Sequence, residues 1–322
     1  MARRWAGFAL GLALVLWPAG VPAQQGFRPP VVEWAADGKV LIGASNLLAR
    51  FDLDSDREEL LDASGSTFAL SPDGQRLALG GPNRLELRTY PGFERQATLS
   101  LPEGTEITAL AWSPDGATLA AGTRAGHTLL SEVSSRELWA DLGVEPASRV
   151  ERLRFAADSA RLLAAYEDGR AVLWDIVARE EVHRFSPARN LRGELEGETA
   201  VVALGPDGRR LLANQVRDEN AEFVLLDDQG GIAWRRAGYG LDFTPDGAGV
   251  LALAPPFRIA ALYRTADAEA LRIFEPPESV TTVYLVRLSP DGKFLLGVGE
   301  DPRGQMLILW DFLTARVLKT RR

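Results

Sequence analysis

The 322-residue chain contains no cysteine, two histidines and three lysines. Without cysteine it can form no disulfide, no thiolate nucleophile and no lipid anchor on an N-terminal cysteine. The two histidines, His127 and His183, lie far apart in sequence, which excludes a site built from several histidines. Since buried lysine is a common catalytic nucleophile or base, the shortage of lysine also leaves little material for that chemistry.

The chain also lacks the short motifs of several common enzyme classes. It contains no GxSxG elbow, no phosphate-binding loop ending in GK[ST] and no HExxH. A Ser-His-Asp triad could arise only if the fold brought distant residues together. We therefore expect neither catalytic residues nor a cofactor nor a bound metal.

Basic residues are outnumbered by acidic ones. The chain has 36 Lys and Arg against 44 Asp and Glu, a formal net charge of −8. General nucleic-acid binding requires a basic surface, so we expect no nucleic-acid partner.

The N-terminus has the pattern of a secretory signal. Arg3 and Arg4 precede an apolar run over residues 7–17, and Val21-Pro22-Ala23 fits a cleavage site with small residues. We predict a signal peptide over residues 1–23, a short extension over residues 24–30 and one folded domain over residues 31–322. The expected location is periplasmic or secreted, without stable membrane insertion after cleavage. An uncleaved anchor is the alternative, although the apolar run is short for a bilayer span.

The rest of the chain is built from seven copies of one pattern, an apolar strand, a turn centred on Pro-Asp-Gly and a second apolar strand. Successive turn aspartates are 36 to 49 residues apart, which is typical of a four-stranded propeller blade. In five copies the pattern is clear, and two copies, from Trp34 and Leu153, are degenerate. The turn aspartates are Asp37, Asp73, Asp115, Asp158, Asp207, Asp246 and Asp291.

This period predicts an all-β fold, a seven-bladed β-propeller of four-stranded antiparallel blades. In the last copy we predict strands over 282–288, 293–298, 306–310 and 316–319. Each blade is then one continuous segment, and we expect the ring to close by sheet packing and not by strand exchange. Trp34, Trp112, Trp174 and Trp310 follow the strand phase and should pack between blades.

Two copies end their third strand in Trp-Asp, at Trp174-Asp175 and Trp310-Asp311. With the Ser-Pro-Asp-Gly turns, the repeats resemble the WD-repeat family of β-propellers from Val31 to about Lys319. The Gly-His pair that usually precedes the first strand of such a repeat is missing, so the family's hydrogen-bonded tetrad must be absent or altered. The resemblance implies a rigid scaffold that binds proteins or peptides on its faces, usually without catalysis.

One end of the predicted ring is rich in arginine. The loops between the second and third strands of six blades contain an arginine, and two of them add an aromatic residue. Since arginine recognises carboxylates and phosphates and anchors many interfaces, these residues are our candidate binding site. Abundance is the competing explanation, because arginine is frequent throughout the chain and can pair with local acids. The candidates are Arg84, Arg124, Arg170, Arg217, Arg258, Arg303, Tyr166 and Phe257.

Other functions leave weaker signals. A cation-dependent propeller hydrolase or lactonase would gather carboxylates in the central channel, where Glu33, Glu106, Glu151 and Asp242 are the candidates. A small-molecule or glycan binder would show an apolar or aromatic pocket at the channel mouth. Residues 52–56 resemble the start of a calcium loop, but Arg57 and Ala63 replace its required Gly and Glu, which favours an ordinary polar turn.

Overall fold

A computed structural model describes residues 31–35, 37–44, 47–55, 57–62, 67–99, 101–143, 147–185, 198–217, 220–227 and 229–321. The predicted signal peptide and extension lie outside these residues. Among the described residues, no helix is long and apolar enough to cross a membrane.

The described chain forms seven four-stranded antiparallel sheets arranged as a β-propeller, which confirms the predicted fold class. The strands of blades 1 to 4 are β1 (Val31–Trp34), β2 (Val40–Ala44), β3 (Leu47–Asp52), β4 (Arg57–Asp62), β5 (Thr67–Leu70), β6 (Arg76–Gly81), β7 (Arg84–Thr89), β8 (Arg95–Thr98), β9 (Ile107–Trp112), β10 (Thr118–Thr123), β11 (Thr128–Glu132), β12 (Glu137–Leu142), β13 (Val150–Phe155), β14 (Arg161–Tyr166), β15 (Ala171–Asp175) and β16 (Glu180–Phe185). Those of blades 5 to 7 are β17 (Glu198–Leu204), β18 (Leu211–Arg217), β19 (Asn220–Leu226), β20 (Ile232–Ala237), β21 (Tyr239–Phe243), β22 (Gly249–Ala254), β23 (Ile259–Arg264), β24 (Ala270–Phe274), β25 (Thr282–Leu288), β26 (Phe294–Asp301), β27 (Gly304–Asp311) and β28 (Val317–Arg321).

The last blade shows how far strand bounds follow from sequence. Its first strand, β25, has the predicted bounds. Strands β26 and β27 are longer than predicted, because Asp301 pairs with Gly304 and the expected polar loop becomes a tight hairpin. Gly304 has a φ of 127°, which an L side chain rarely adopts and which lets the chain reverse there.

The Pro-Asp-Gly turns are held by a repeated set of hydrogen bonds. In blade 3, the Ser113 hydroxyl donates to Asp115 at 2.5 Å, and the same carboxylate accepts from the Ala117 amide at 2.9 Å. The Gly116 amide donates to the Ser113 carbonyl at 2.8 Å, and Gly116 takes a φ of 70°. These contacts explain why serine or threonine, then aspartate, then glycine recur at these places in blades 2, 3, 6 and 7.

The core consists of seven apolar clusters, one between each pair of neighbouring blades. Trp112, Trp174 and Trp310 are buried in these clusters, as predicted, while Trp34 packs against the cluster between blades 1 and 7. Because each sheet is covered on both faces, its middle strands are nearly all apolar.

Ring closure requires no shared strand. Every described sheet is a single continuous segment, from β1–β4 in blade 1 to β25–β28 in blade 7. The Trp34 indole donates to the Arg287 carbonyl of blade 7 at 3.2 Å, and its equivalent Trp112 donates to the Ala69 carbonyl of blade 2 at 3.1 Å. The closing interface therefore uses the same contact as an internal one. The expectation of closure without strand exchange is confirmed for the described residues.

Candidate functional site

The ring has two different ends. We call the end that carries the loops between second and third strands the arginine face, and the opposite end, with the Pro-Asp-Gly turns, the turn face. The innermost strand of each blade runs from the arginine face to the turn face along the central channel.

Two of the predicted arginines are largely engaged by nearby acids. Arg84 donates to Glu86 at 3.1 Å and its side chain is 16% exposed. Arg170 contacts Asp168 at 2.6 Å, lies over the Tyr166 ring and is 10% exposed. Both guanidinium groups therefore stabilise the loops in which they stand.

Two other arginines present their side chains to solvent. Arg124 is 61% exposed, although its Nε donates to Glu106 at 2.7 Å. Arg303 is exposed at the hairpin of blade 7. Arg258 is half-buried and donates to the Pro277 carbonyl at 3.3 Å. Arg217 ends β18, and its side chain lies outside the described residues.

The two predicted aromatic residues do not form an exposed platform. Tyr166 is 3% exposed and belongs to the core between blades 3 and 4, where burial raises its pKa to about 12. Phe257 is half-buried and packs against Tyr239, with ring centroids 5.2 Å apart. Among the described side chains, the arginine face is thus a mixed surface of local ion pairs on which Arg124 and Arg303 are exposed, and the six predicted arginines are not equally accessible.

A second charged group lies in the central channel. At the place four residues before the turn aspartate, three blades have alanine (Ala69, Ala111 and Ala203) and four have a charged residue (Glu33, Arg154, Asp242 and Arg287). Because these positions are equivalent in the repeat, they lie at one level of the innermost strands, near the turn face.

The charged residues at this level interact across blades. Arg154 of blade 4 donates to Asp242 of blade 6 at 3.2 Å, passing blade 5, whose residue at this position is Ala203. Glu33 accepts the Leu70 amide of blade 2 at 2.7 Å. Burial raises the pKa of Glu33 to about 7, although the Leu70 amide, Arg287 and Arg154 oppose the shift. Burial, together with nearby Arg152 and Arg154, lowers the pKa of Arg287.

The four predicted channel acids do not meet at one point. Glu33 and Asp242 share the level just described, but Glu151 lies three residues before Arg154, about 10 Å away along β13. Glu151 pairs with Arg149 at 2.7 Å, and Glu106 pairs with Arg124. The described residues contain no group of three or more acids or histidines placed to hold a metal ion. Since arginines surround the two channel carboxylates, the arrangement does not favour the hydrolase alternative.

The turn at Asp52 is a polar turn and not part of a calcium loop. The Asp52 carboxylate accepts the backbone amides of Asp54 and Ser55, each at 3.0 Å. Asp175 of blade 4 makes the same two contacts, with Val177 and Ala178. The aspartates at the ends of the third strands therefore hold the next turn.

The channel opens at the turn face into a cavity of about 360 Å³. Its walls include Trp112, Phe155 and Phe243, and prolines of four turns surround it: Pro72, Pro114, Pro206 and Pro245. Glu33 and Arg154 are the charged residues of its wall, and the small side chains of Ala69 and Ala111 leave the cavity open. Sequence reasoning considered the acids of this site but missed the arginines, which appear once the seven repeats are aligned on their turn aspartates.

Comparison with known proteins supports a WD-repeat propeller. The family described as "WD domain, G-beta repeat" matches residues 93–129, which run from the end of blade 2 to the start of β11 in blade 3. No curated protein matches the chain in sequence.

Solved propellers resemble the whole ring. A chain in the crystal structure of the mitotic checkpoint complex aligns with a TM-score of 0.67 at 15% identity, covering 88% of this chain and 86% of that one. The β-propeller domain of Cps50 (Swd1) from Myceliophteria thermophila aligns with a TM-score of 0.64 at 15% identity, covering 80% and 86%. At this identity the likeness concerns the fold alone.

Proposed function

We propose that this protein is a non-enzymatic scaffold that binds a protein or peptide partner through its arginine face, in the periplasm or outside the cell. WD-repeat propellers typically serve as interaction scaffolds, and the family match supports that class. The observation that carries the proposal is the pair of accessible guanidinium groups, Arg124 in blade 3 and Arg303 in blade 7.

The positions of these two arginines determine what kind of partner they suit. Blades 3 and 7 lie on opposite sides of the seven-bladed ring, so a partner that contacts both must extend across the face. Arginine prefers carboxylate groups because its fork of N–H donors matches their geometry. We infer an acidic segment that spans the arginine face.

The test is affinity capture with the mature chain as bait. Arg124→Ala combined with Arg303→Ala should reduce capture of a specific partner about tenfold, because each exposed charged contact is worth up to about 1 kcal/mol. The control, Arg95→Ala with Arg209→Ala, removes the same charge from exposed places away from the arginine face. Capture that is equal for both double variants and the unaltered protein would contradict the proposed face.

Export is tested separately. The mature protein should begin at Gln24 and appear in the periplasmic or secreted fraction, as read by intact-mass analysis of each fraction. Cleavage after Ala23 removes two arginines and leaves 34 basic and 44 acidic residues, a net charge of −10. A chain that retains its first 23 residues in the membrane fraction would establish the anchor alternative.

A further inference from the structure

The cavity at the turn face is preformed, and the proposed scaffold function does not involve it. Four prolines and three aromatic rings are part of its wall, and the turns of three of these prolines are held by repeated hydrogen bonds. Proline has a fixed φ and no side-chain freedom to lose, so the wall is preformed. A volume of about 360 Å³ falls within the size range of small-molecule sites.

The cavity exists because of the side chains at one repeat position. Ala69 and Ala111 stand where Glu33 and Arg154 stand in the flanking blades. Two neighbouring blades with a methyl group at this level leave space that longer side chains would fill. The apolar part of the cavity is therefore bordered on either side by a charged group.

Positive charge is in excess in this part of the channel. Arg287 interacts electrostatically with Arg154 at the same level, with Arg152 two residues earlier on β13, and with the carboxyl groups of Asp242 and Glu33. Three guanidinium groups face at most two negative charges, in a protein whose net charge is −8. Like charges held close together repel, and an anion bound beside Arg154 would offset that repulsion.

Arg154 is the group that a ligand can reach. It lines the cavity, and its side chain is 53% exposed. Its contact with Asp242 engages one terminal nitrogen, whereas a guanidinium carries five N–H donors. A carboxylate can therefore bind Arg154 while the contact with Asp242 persists.

We propose that this cavity binds a small organic carboxylate with an apolar body. The carboxylate contacts Arg154, and the apolar body lies over Ala69 and Ala111 between Trp112 and the proline rim. This site lies at the opposite end of the ring from the arginine face and does not depend on the scaffold function.

The test is titration of the mature protein with 3-phenylpropionate and with cyclohexanecarboxylate, followed by calorimetry or ligand-observed NMR. The matched probe is 3-phenylpropanamide, which has the same shape without the charge. At least one carboxylate should bind saturably, and 3-phenylpropionate about tenfold more tightly than the amide, because a charge-assisted bond to arginine is lost.

Two variants separate the charged and the apolar parts of the site. Arg154→Ala should weaken carboxylate binding about tenfold or more and remove the preference over the amide. Ala111→Leu should abolish binding of both probes by filling the cavity, while Arg209→Ala, on the same face outside the site, should leave binding unchanged. Thermal melts identify any variant that fails to fold, and Ala69→Leu then replaces Ala111→Leu.

Several outcomes would overturn the proposal. These are no saturable binding of either carboxylate, equal affinity for 3-phenylpropionate and its amide, or affinity unchanged in folded Arg154→Ala. Loss of partner capture by the arginine-face variants would not bear on this result, since the two sites use different residues.

Discussion

At the scale of the residue, Glu33 is a carboxyl group whose surroundings disfavour its charged form. Its carboxyl group lies in the channel, where loss of hydration raises its pKa from 4.5 to about 7. In the unfolded chain it ionises at the ordinary value. Its contribution to stability is therefore fully present below about pH 4.5 and is lost as the pH rises through about 7.

Glu33→Gln should remove this pH dependence. Gln keeps an oxygen that can accept the Leu70 amide and carries no charge. The variant should match the unaltered protein near pH 4.5 and exceed its free energy of unfolding by on the order of 2 kcal/mol near pH 8.5. Denaturant unfolding at the two pH values measures the difference, and Glu103→Gln, in an exposed loop, controls for the change in net charge. A difference that does not vary with pH would refute the assignment.

Ser113 is the opposite case, because hydrogen bonds compensate the cost of burying its hydroxyl group. It is completely buried, donates to Asp115 and accepts the Thr118 amide at 2.9 Å. This hydroxyl is the main cause that lowers the pKa of Asp115 below its usual range, with the Ala117 amide second. The stabilisation is present above about pH 3.8 and is lost as the pH falls through the lowered value.

Ser113→Ala should therefore lower the free energy of unfolding by about 1–2 kcal/mol near pH 7, because the hydroxyl's hydrogen bonds to Asp115 and Thr118 are lost. The deficit should shrink as the pH falls below about 3.8 and through the lowered pKa of Asp115. Ser135→Ala, at an exposed turn of the same blade, is the matched control and should change little. Equal stability of Ser113→Ala and the unaltered protein near pH 7 would show that the turn does not depend on the hydroxyl.

At the scale of the element, blades 2 and 3, and likewise blades 3 and 4, approach so closely that one strand position leaves no room for a Cβ atom. A Cβ on Gly122 of β10 would lie 2.4 Å from Cγ1 and 2.7 Å from Cβ of Val150 in the next blade. Gly80 of β6 meets Ile107 in the equivalent way. Both neighbours are β-branched and stiff, so the contact cannot be relieved by a rotation of the side chain.

Gly122→Ala should therefore lower the free energy of unfolding by about 1–3 kcal/mol, through overpacking between blades 3 and 4. Gly143→Ala is the control, since its added Cβ would meet only His127 at an ordinary 3.6 Å. The melting temperatures of both variants are compared with that of the unaltered protein. If both variants melt together with the unaltered protein, the blades are less tightly packed than described.

The sequence predicted the elements better than it predicted the site, for physical reasons. Turn chemistry and alternating apolar strands are local, so seven blades and the bounds of β25 follow directly. Side-chain partners are not local: Arg154 meets Asp242 from 88 residues away, and Tyr166 turns into the core and not towards the arginine face. For Arg84 and Arg170 the sequence left two explanations open, exposure to a partner and pairing with local acids, and the structure shows the pairing.

At the scale of the whole molecule, ring closure without a shared strand means that the chain could begin at another blade and keep the same ring. No described blade is composed of two distant segments, and the contacts between blades 7 and 1 repeat those between internal blades. Lys319 also donates to the Leu53 carbonyl across this interface.

A circular permutant tests this closure. New termini are placed in the loop at Gly104, between blades 2 and 3, and the old ends are joined by a linker as long as the connection between β8 and β9. We expect a folded, monodisperse protein that melts within about 5 °C of the original, because no sheet is cut. A permutant that fails to fold would indicate that closure depends on something other than packing.

The measurement that most directly tests the central claim is hydrogen exchange of the mature protein with and without its captured partner. Protection should appear in the loops around Arg124 and Arg303, on opposite sides of the arginine face, and should be absent from the Pro-Asp-Gly turns. Protection confined to the turn face or to the outer strands, with those two loops unchanged, would contradict the account.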